Sequence, residues 1–328
     1  MKHVFGPVAS RRLGRSLGID PIPFKTCNWN CVYCQLGRTT PVVNHRREYV
    51  PADEIIGEIR QYLQSPSATQ LDWITFIGSG EPLLNSRLGE MIRAVKAMTT
   101  VPVAVITNGS LLFLKQVREE LLPADAVIPS VDAGSAALYK AVNRPFPALG
   151  FAEFIFGLQA FRREYKGKFW IESMLIKGFN DSPEAVADLG RVLSAIGPDE
   201  VQINVPVRPP AEPWIEAPEA DALARALDIL GAAAHVIPPP VVTVEPSGHD
   251  NAGDAILEIV ERHPMSETEL SETLPEWSHE EITETVRGLY AAGKLQPVTR
   301  YGRRFWSLPE ARYAETRSSS ASRGGQGR

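Results

Sequence analysis

Between residues 16 and 234 the chain alternates short apolar runs with stretches whose apolar positions recur every three or four residues. Ile55, Ile56, Ile59, Tyr62 and Leu63 share one helical face, which predicts a helix over 53–63. Trp73-Ile74-Thr75-Phe76-Ile77 reads as a buried strand, and the alternation then continues. Strands are predicted near 16–22, 73–77, 103–106, 126–130, 169–176 and 201–204, with helices near 88–98, 111–122, 151–165, 184–196 and 219–234. Six β–α units imply a parallel sheet with right-handed crossovers. Six is fewer than the eight units of a closed barrel, so the pattern predicts an α/β fold in the form of a partial (β/α)6 TIM-like barrel. A doubly wound open sheet gives the same string, and periodicity leaves that alternative open.

The pattern changes near residue 238. Pro238-Pro239-Pro240 and Glu245-Pro246-Ser247-Gly248 stop regular structure, so the barrel is expected over 1–245 and a linker over 246–253. Residues 254–262 read as a helix. Ser266-Glu267-Thr268-Glu269 and Ser278-His279-Glu280-Glu281 each fit a capping box, opening two more helices. Gly293 ends the third, and apolar runs on either side of Tyr301-Gly302 read as a hairpin. Three helices and a hairpin predict a small winged-helix-like domain over 254–309. The Ser/Gly/Arg-rich tail, 310–328, is expected to be disordered.

Composition narrows the function. With 328 residues, 44% hydrophobic, the chain can bury a core without disulfides. The net charge of −5 argues against binding nucleic acid by bulk charge. No apolar stretch is long enough to span a bilayer and the start has no secretory pattern, so a cytoplasmic protein with no membrane association is expected. The chain has only three cysteines, and they sit together as Cys27-x3-Cys31-x2-Cys34. An odd number packed so closely reads as metal ligands rather than disulfides. They follow the first strand, which places them at the carboxyl ends of the strands, where such folds put active sites. Three thiolates can hold a [4Fe–4S] cluster and leave one iron open for a small molecule. Structural zinc is the alternative; it wants a fourth ligand, for which His45 is the nearest candidate.

The cysteine spacing, with Tyr33 before the last cysteine, resembles the radical S-adenosylmethionine (SAM) superfamily over roughly residues 10–245. The resemblance implies that Cys27, Cys31 and Cys34 hold the cluster and that SAM chelates the open iron. It further implies reductive cleavage of SAM to a radical that abstracts hydrogen from a substrate, with the electron coming from a reductant protein such as flavodoxin or ferredoxin. Gly78-Ser79-Gly80-Glu81-Pro82 follows the second strand and is similar to the family's glycine–glycine–glutamate element, with serine at one glycine. Small residues there let backbone carbonyls approach the SAM ammonium, and Glu81 adds a carboxylate. Glu172 is similar to the family's ribose-binding acid. Thr107, Asn108, Ser130 and Asp132 end strands and should line the cavity, and Asn204 is a candidate for the adenine. Residues 6–38 resemble the subgroup labelled by similarity to wyosine tRNA synthetases. Those enzymes carry further cluster cysteines that this chain lacks, so the label does not name a substrate.

Arg11 and Arg12 are candidates for an anionic substrate, since a guanidinium suits carboxylate or phosphate, and Lys177 and Asn180 follow the fifth predicted strand as further substrate candidates. The six histidines form no ligand spacing. In the winged helix, Glu280, Glu281 and Glu284 at the reading helix oppose phosphate, whereas Arg300, Arg303 and Arg304 give the hairpin a basic edge. That favours a protein-docking role, with nucleic acid second and RNA ahead of DNA. Within the radical SAM reading the alternatives are an activase that puts a radical on a partner protein and modification of a tRNA or RNA base. Outside it stands an iron–sulfur sensor that binds DNA, in which residues 78–82 and Glu172 would have no task.

Overall fold

The computed structural model describes residues 1–10, 12–238 and 251–315. Eight strands form one sheet in the order of the chain: β1 (Val4–Ser10), β2 (Gly14–Ile19), β3 (Trp73–Phe76), β4 (Val103–Thr107), β5 (Ala126–Pro129), β6 (Lys168–Met174), β7 (Glu200–Asn204) and β8 (Ala234–Val236). β1 is antiparallel to β2, and all later neighbours are parallel. The strand order never reverses. Successive right-handed crossovers then step the same way and lay their helices on one face. A doubly wound sheet reverses its order at a switch point, so the partial barrel is the fold and the alternative falls.

Helices α1 (Ala52–Leu63), α2 (Leu88–Met98), α3 (Lys115–Leu121), α4 (Ala136–Val142), α5 (Phe151–Glu164), α6 (Pro183–Ile196) and α7 (Ala220–Leu230) make the outer layer. Alternation along each strand sorts its side chains. Phe169, Ile171, Val201 and Ile203 join the helices in the main core, together with Ile55, Ile59, Met91, Leu158 and Leu193. The other face fills the lumen. Its floor is apolar, with Leu13, Ala104, Ala126 and Ile128 packed beside Trp73 and Trp170. Two residues further along the same strands, the inward positions become polar, at Ser130 after Ile128 and Glu172 after Trp170. A dry floor under a polar mouth places the chemistry at the carboxyl ends.

Differences from the expected elements have local causes. α7 stops at Leu230 because Gly231 takes a left-handed φ of 80°, and β8 falls where helix was expected. Leu111 and Leu112 are buried in the turn before α3 rather than in a helix. β1 carries a Gly-Pro break that hides its strand character. α4, one short helix capped by Ser135 Oγ on the Leu138 N–H, lies below the length at which periodicity is readable.

Beyond the barrel come α8 (Ala252–Arg262), α9 (Glu267–Thr273), α10 (His279–Ala291) and a hairpin of β9 (Gln296–Arg300) with β10 (Arg303–Ser307). Ser266 and Ser278 both form complete capping boxes. These elements have their own core around Ile256, Leu270, Ile282 and Trp306. Most of the expected linker, and residues 316–328 of the expected tail, lie outside the described residues. Residues 311–315 are a correction, because they are ordered. The Arg38 N–H donates to Arg312 O at 2.6 Å, Tyr313 Oη to Gln35 O at 2.6 Å, and the Ala314 N–H to Ala211 O at 2.9 Å. Arg300 is also corrected. It is buried, and its guanidinium is spent on the carbonyls of Pro210, Thr299 and Ala314, so it offers nothing to an RNA.

Candidate active site

Cys27, Cys31 and Cys34 are free thiols on the long loop between β2 and α1. Trp29 anchors that loop. It is buried edge-on against Tyr139 and Phe154, with ring centroids 5.4 and 5.5 Å away. Backbone bonds fix the rest: the Val32 N–H to Val142 O at 2.9 Å, Val43 N–H to Cys27 O at 3.0 Å, and Phe146 N–H to Asn28 O at 2.8 Å. Asn28 is buried and its amide bonds Asn44 and Ser110. The loop therefore holds its shape by protein contacts.

Each sulfur meets an N–H donor. The Trp29 N–H points at Cys27 Sγ (3.4 Å), Asn143 Nδ2 at Cys31 Sγ (3.8 Å) and Lys25 Nζ at Cys34 Sγ (3.2 Å). Burial, with the Glu81 carboxylate adding to it, pushes the Cys27 thiol up to about 12. Burial and then Asp132 push Cys31 well up. Burial thus favours the protonated thiols, and because a metal binds the thiolate form, metal loading releases protons.

The donor set is three thiolates, each met by an N–H donor. A structural zinc takes four protein ligands, whereas a [4Fe–4S] cluster held by three cysteines leaves one iron open for a small molecule, so the three cysteines fit a cluster better than one zinc. His45, the candidate for a fourth zinc ligand, is exposed.

The turn after β3 lies against this loop. The Lys25 N–H donates to Ser79 O (2.8 Å) and the Glu81 N–H to Thr26 O (2.9 Å). The approach is close enough that a Cβ on Gly80 would stand 1.9 Å from Thr26 O. Gly78 is tight against Ile22. Ser79 is buried and donates through both N–H and Oγ to Asp20. Glu81 is buried. Its carboxylate accepts from the Leu83 and Asn108 N–H groups and from Thr107 Oγ1, and burial raises it to about 7. Pro82 begins a short 3₁₀ turn. Thr107 is thus a partner of Glu81, while Asn108 also donates to Asn28 and, at 3.9 Å, to Cys27 Sγ.

Across the mouth, Asp132 is buried and raised to about 6 by burial. It accepts from Tyr33 Oη (2.6 Å), Asn143 Nδ2 and the Met174 N–H. Ser130 bridges β5 to Glu172 on β6. Glu172 is held by Arg12 and Asn204, and Arg12 also reaches Gln202 at 3.3 Å. The structure thus brings Arg12, Glu172 and Asn204 into one cluster. Arg11 lies outside the described residues.

Two substrate candidates are not placed for that role. Asn180 is buried, with its amide spent on Ile176 N–H, Asp132 O and Met174 O. Lys177 pairs with Glu216 and Glu219 at the surface. Sequence reasoning missed Lys25, Asp20, Asn143 and Gln202. Only Asp20, at a strand end, carried a positional signal.

A fold and site of this kind define a class. Residues 22–190 match the model of the radical SAM superfamily, and the chain belongs to it: it is a radical SAM enzyme, and SAM and a [4Fe–4S] cluster are the cofactors of that class. More narrowly, it belongs with the UPF0026 proteins. It is 32% identical over 278 residues to the UPF0026 protein of Methanocaldococcus jannaschii, covering 84% of this chain and 86% of that one.

A protein of Brachyspira hyodysenteriae named GTPase Obg is 45% identical over 207 residues, 63% of this chain. This chain spans only 30% of that protein. Among solved structures, a radical SAM methyltransferase from Sphaerobacter thermophilus shares the fold with a TM-score of 0.50 at 20% identity, covering 67% of this chain and 66% of that one. No helix among the described residues is long and apolar enough to cross a membrane.

Proposed function

We propose that the polar mouth of the barrel binds a [4Fe–4S] cluster and SAM side by side and uses them to take a hydrogen atom from a substrate. The observation that carries this is the joining of two loops. Two backbone hydrogen bonds and the Gly80–Thr26 contact lock the cysteine loop to the Gly78–Pro82 turn, so a ligand of the open iron would lie against that turn. When bound, the cofactors supply one-electron reductive cleavage of SAM and a hydrogen-abstracting radical.

The protein's part is placement. Cys27, Cys31 and Cys34 ligate iron. Residues 78–80 offer carbonyls to the SAM ammonium, and Glu81 braces their turn against Thr107 and Asn108. Glu172 offers its carboxylate to the ribose by exchanging Arg12 or Asn204 for hydroxyls, and Asn204 stays at hand for the adenine. Tyr33 is held by Asp132 beside the cysteines. Arg12, released from Glu172, faces an anionic substrate group. The electron comes from a flavodoxin- or ferredoxin-like reductant.

The winged-helix reading of α8–α10 with the hairpin is kept as a docking module. With Arg300 buried and Glu280 and Glu284 exposed on α10, a protein surface suits it better than RNA.

The test is anaerobic reconstitution with iron and sulfide, then SAM and dithionite, with 5′-deoxyadenosine measured by mass spectrometry. Product that disappears in Cys31→Ala supports the reading. A fully loaded protein whose EPR spectrum is unmoved by SAM overturns it.

A further inference from the structure

Lys25 is the residue at which the two halves of the site meet. Its N–H bonds Ser79 O at 2.8 Å, in the turn proposed for SAM. Its ammonium donates to Cys34 Sγ at 3.2 Å and to Gly37 O at 2.8 Å. The donors at the other two sulfurs are neutral and longer, at 3.4 Å or more. The backbone makes the choice of residue informative. Lys25 has φ 57°, a left-handed conformation that disfavours a side chain relative to glycine. Fold alone would favour glycine here. Lysine at a strained position, with its charge aimed at a proposed iron ligand, has the character of a functional residue.

We infer that Lys25 is a positioning residue that sets the reduction potential of the cluster held by Cys27, Cys31 and Cys34. Reduction adds one negative charge at that site. An ammonium on one thiolate stabilises the added charge, and the half-buried setting limits screening by water. Hydrogen bonds to cluster sulfurs and local charge are the means by which a protein moves such potentials. Lys25 therefore makes the cluster easier to reduce for a given donor. Its bond to Gly37 O also ties down the segment just after Cys34.

This inference rests on the assignment of the three cysteines as cluster ligands, and one set of samples separates the two. The full-length chain and its Lys25→Gly, Lys25→Met and Lys25→Arg variants are reconstituted. Iron and sulfide per chain, melting temperature and the midpoint potential by EPR-monitored titration are measured on each. Lys25→Gly keeps its iron and melts no lower than the parent, because glycine relieves the left-handed backbone. Its cluster becomes about tenfold harder to reduce, a midpoint about 59 mV lower for one electron. Lys25→Met shows the same drop, and Lys25→Arg stays near the parent. A purely structural lysine would leave the potential of Lys25→Gly unchanged, and that result, with iron still bound, overturns the inference alone. A parent chain that takes up no iron overturns the cluster assignment and the inference together.

Discussion

At the scale of single residues, the site is built from contacts that tolerate little change. Gly80 is the clearest case, since any side chain there meets the Thr26 carbonyl, a rigid backbone group. Gly80→Ala must separate the cysteine loop from the turn and break the bond from the Glu81 N–H to Thr26 O. The main core lies behind the sheet, so the chain still folds. SAM affinity, measured by isothermal titration on the reconstituted protein, is expected to fall at least about tenfold, the effect of losing roughly 1.4 kcal/mol. Unchanged affinity would remove residues 78–80 from the SAM site. The cysteines were legible in the sequence because they are rare and closely spaced, and Gly80 because it sits in a Gly-Ser-Gly-Glu-Pro turn just after a predicted strand. Lys25 was not, because its backbone angle and its reach to Cys34 exist only after folding.

At the scale of elements, Asn180 shows how strand ends are held in register. Its amide links the ends of β5 and β6 through Asp132 O, Met174 O and the Ile176 N–H. Asn180→Ala leaves these groups without their partner, and each buried polar group so orphaned costs about 1–3 kcal/mol. Urea denaturation should therefore show a clearly lower midpoint at an unchanged slope. The substrate role suggested by its place in the sequence makes the opposite forecast, lost turnover at full stability. The elements themselves were readable where amphipathic periods were long, as in α1, α2 and α6. Two short elements escaped that reading: β8, three residues where helix was expected, and α4, seven residues with too few apolar repeats to show a period.

At the scale of the whole molecule, the C-terminal segment belongs to the active-site side. Gly37 leaves no room for a side chain against Arg312, and residues 311–315 bridge the cysteine loop, the chain after β7 and Arg300. Removal of residues 310–328 is expected to leave the barrel folded while the loop after Cys34 loosens. After reconstitution, iron per chain should fall and the cluster absorbance should bleach several-fold faster in air. Equal iron and equal bleaching would show that the segment does not guard the site. The sequence by itself determined the parallel α/β class, the family, the three metal-ligand candidates and the separate C-terminal helices. Each of these is written in local period or spacing, which survives without coordinates. Only the tertiary structure decided that the sheet curls one way rather than doubling back, that Arg300 and Asn180 are consumed inside the protein, and that Lys25 and the tail reach the cysteines. Those outcomes depend on how loops and strand ends meet in space: Tyr313 and Gln35 are 278 residues apart, and even Lys25 and Cys34, close in the chain, meet only through a backbone turn that local pattern does not record.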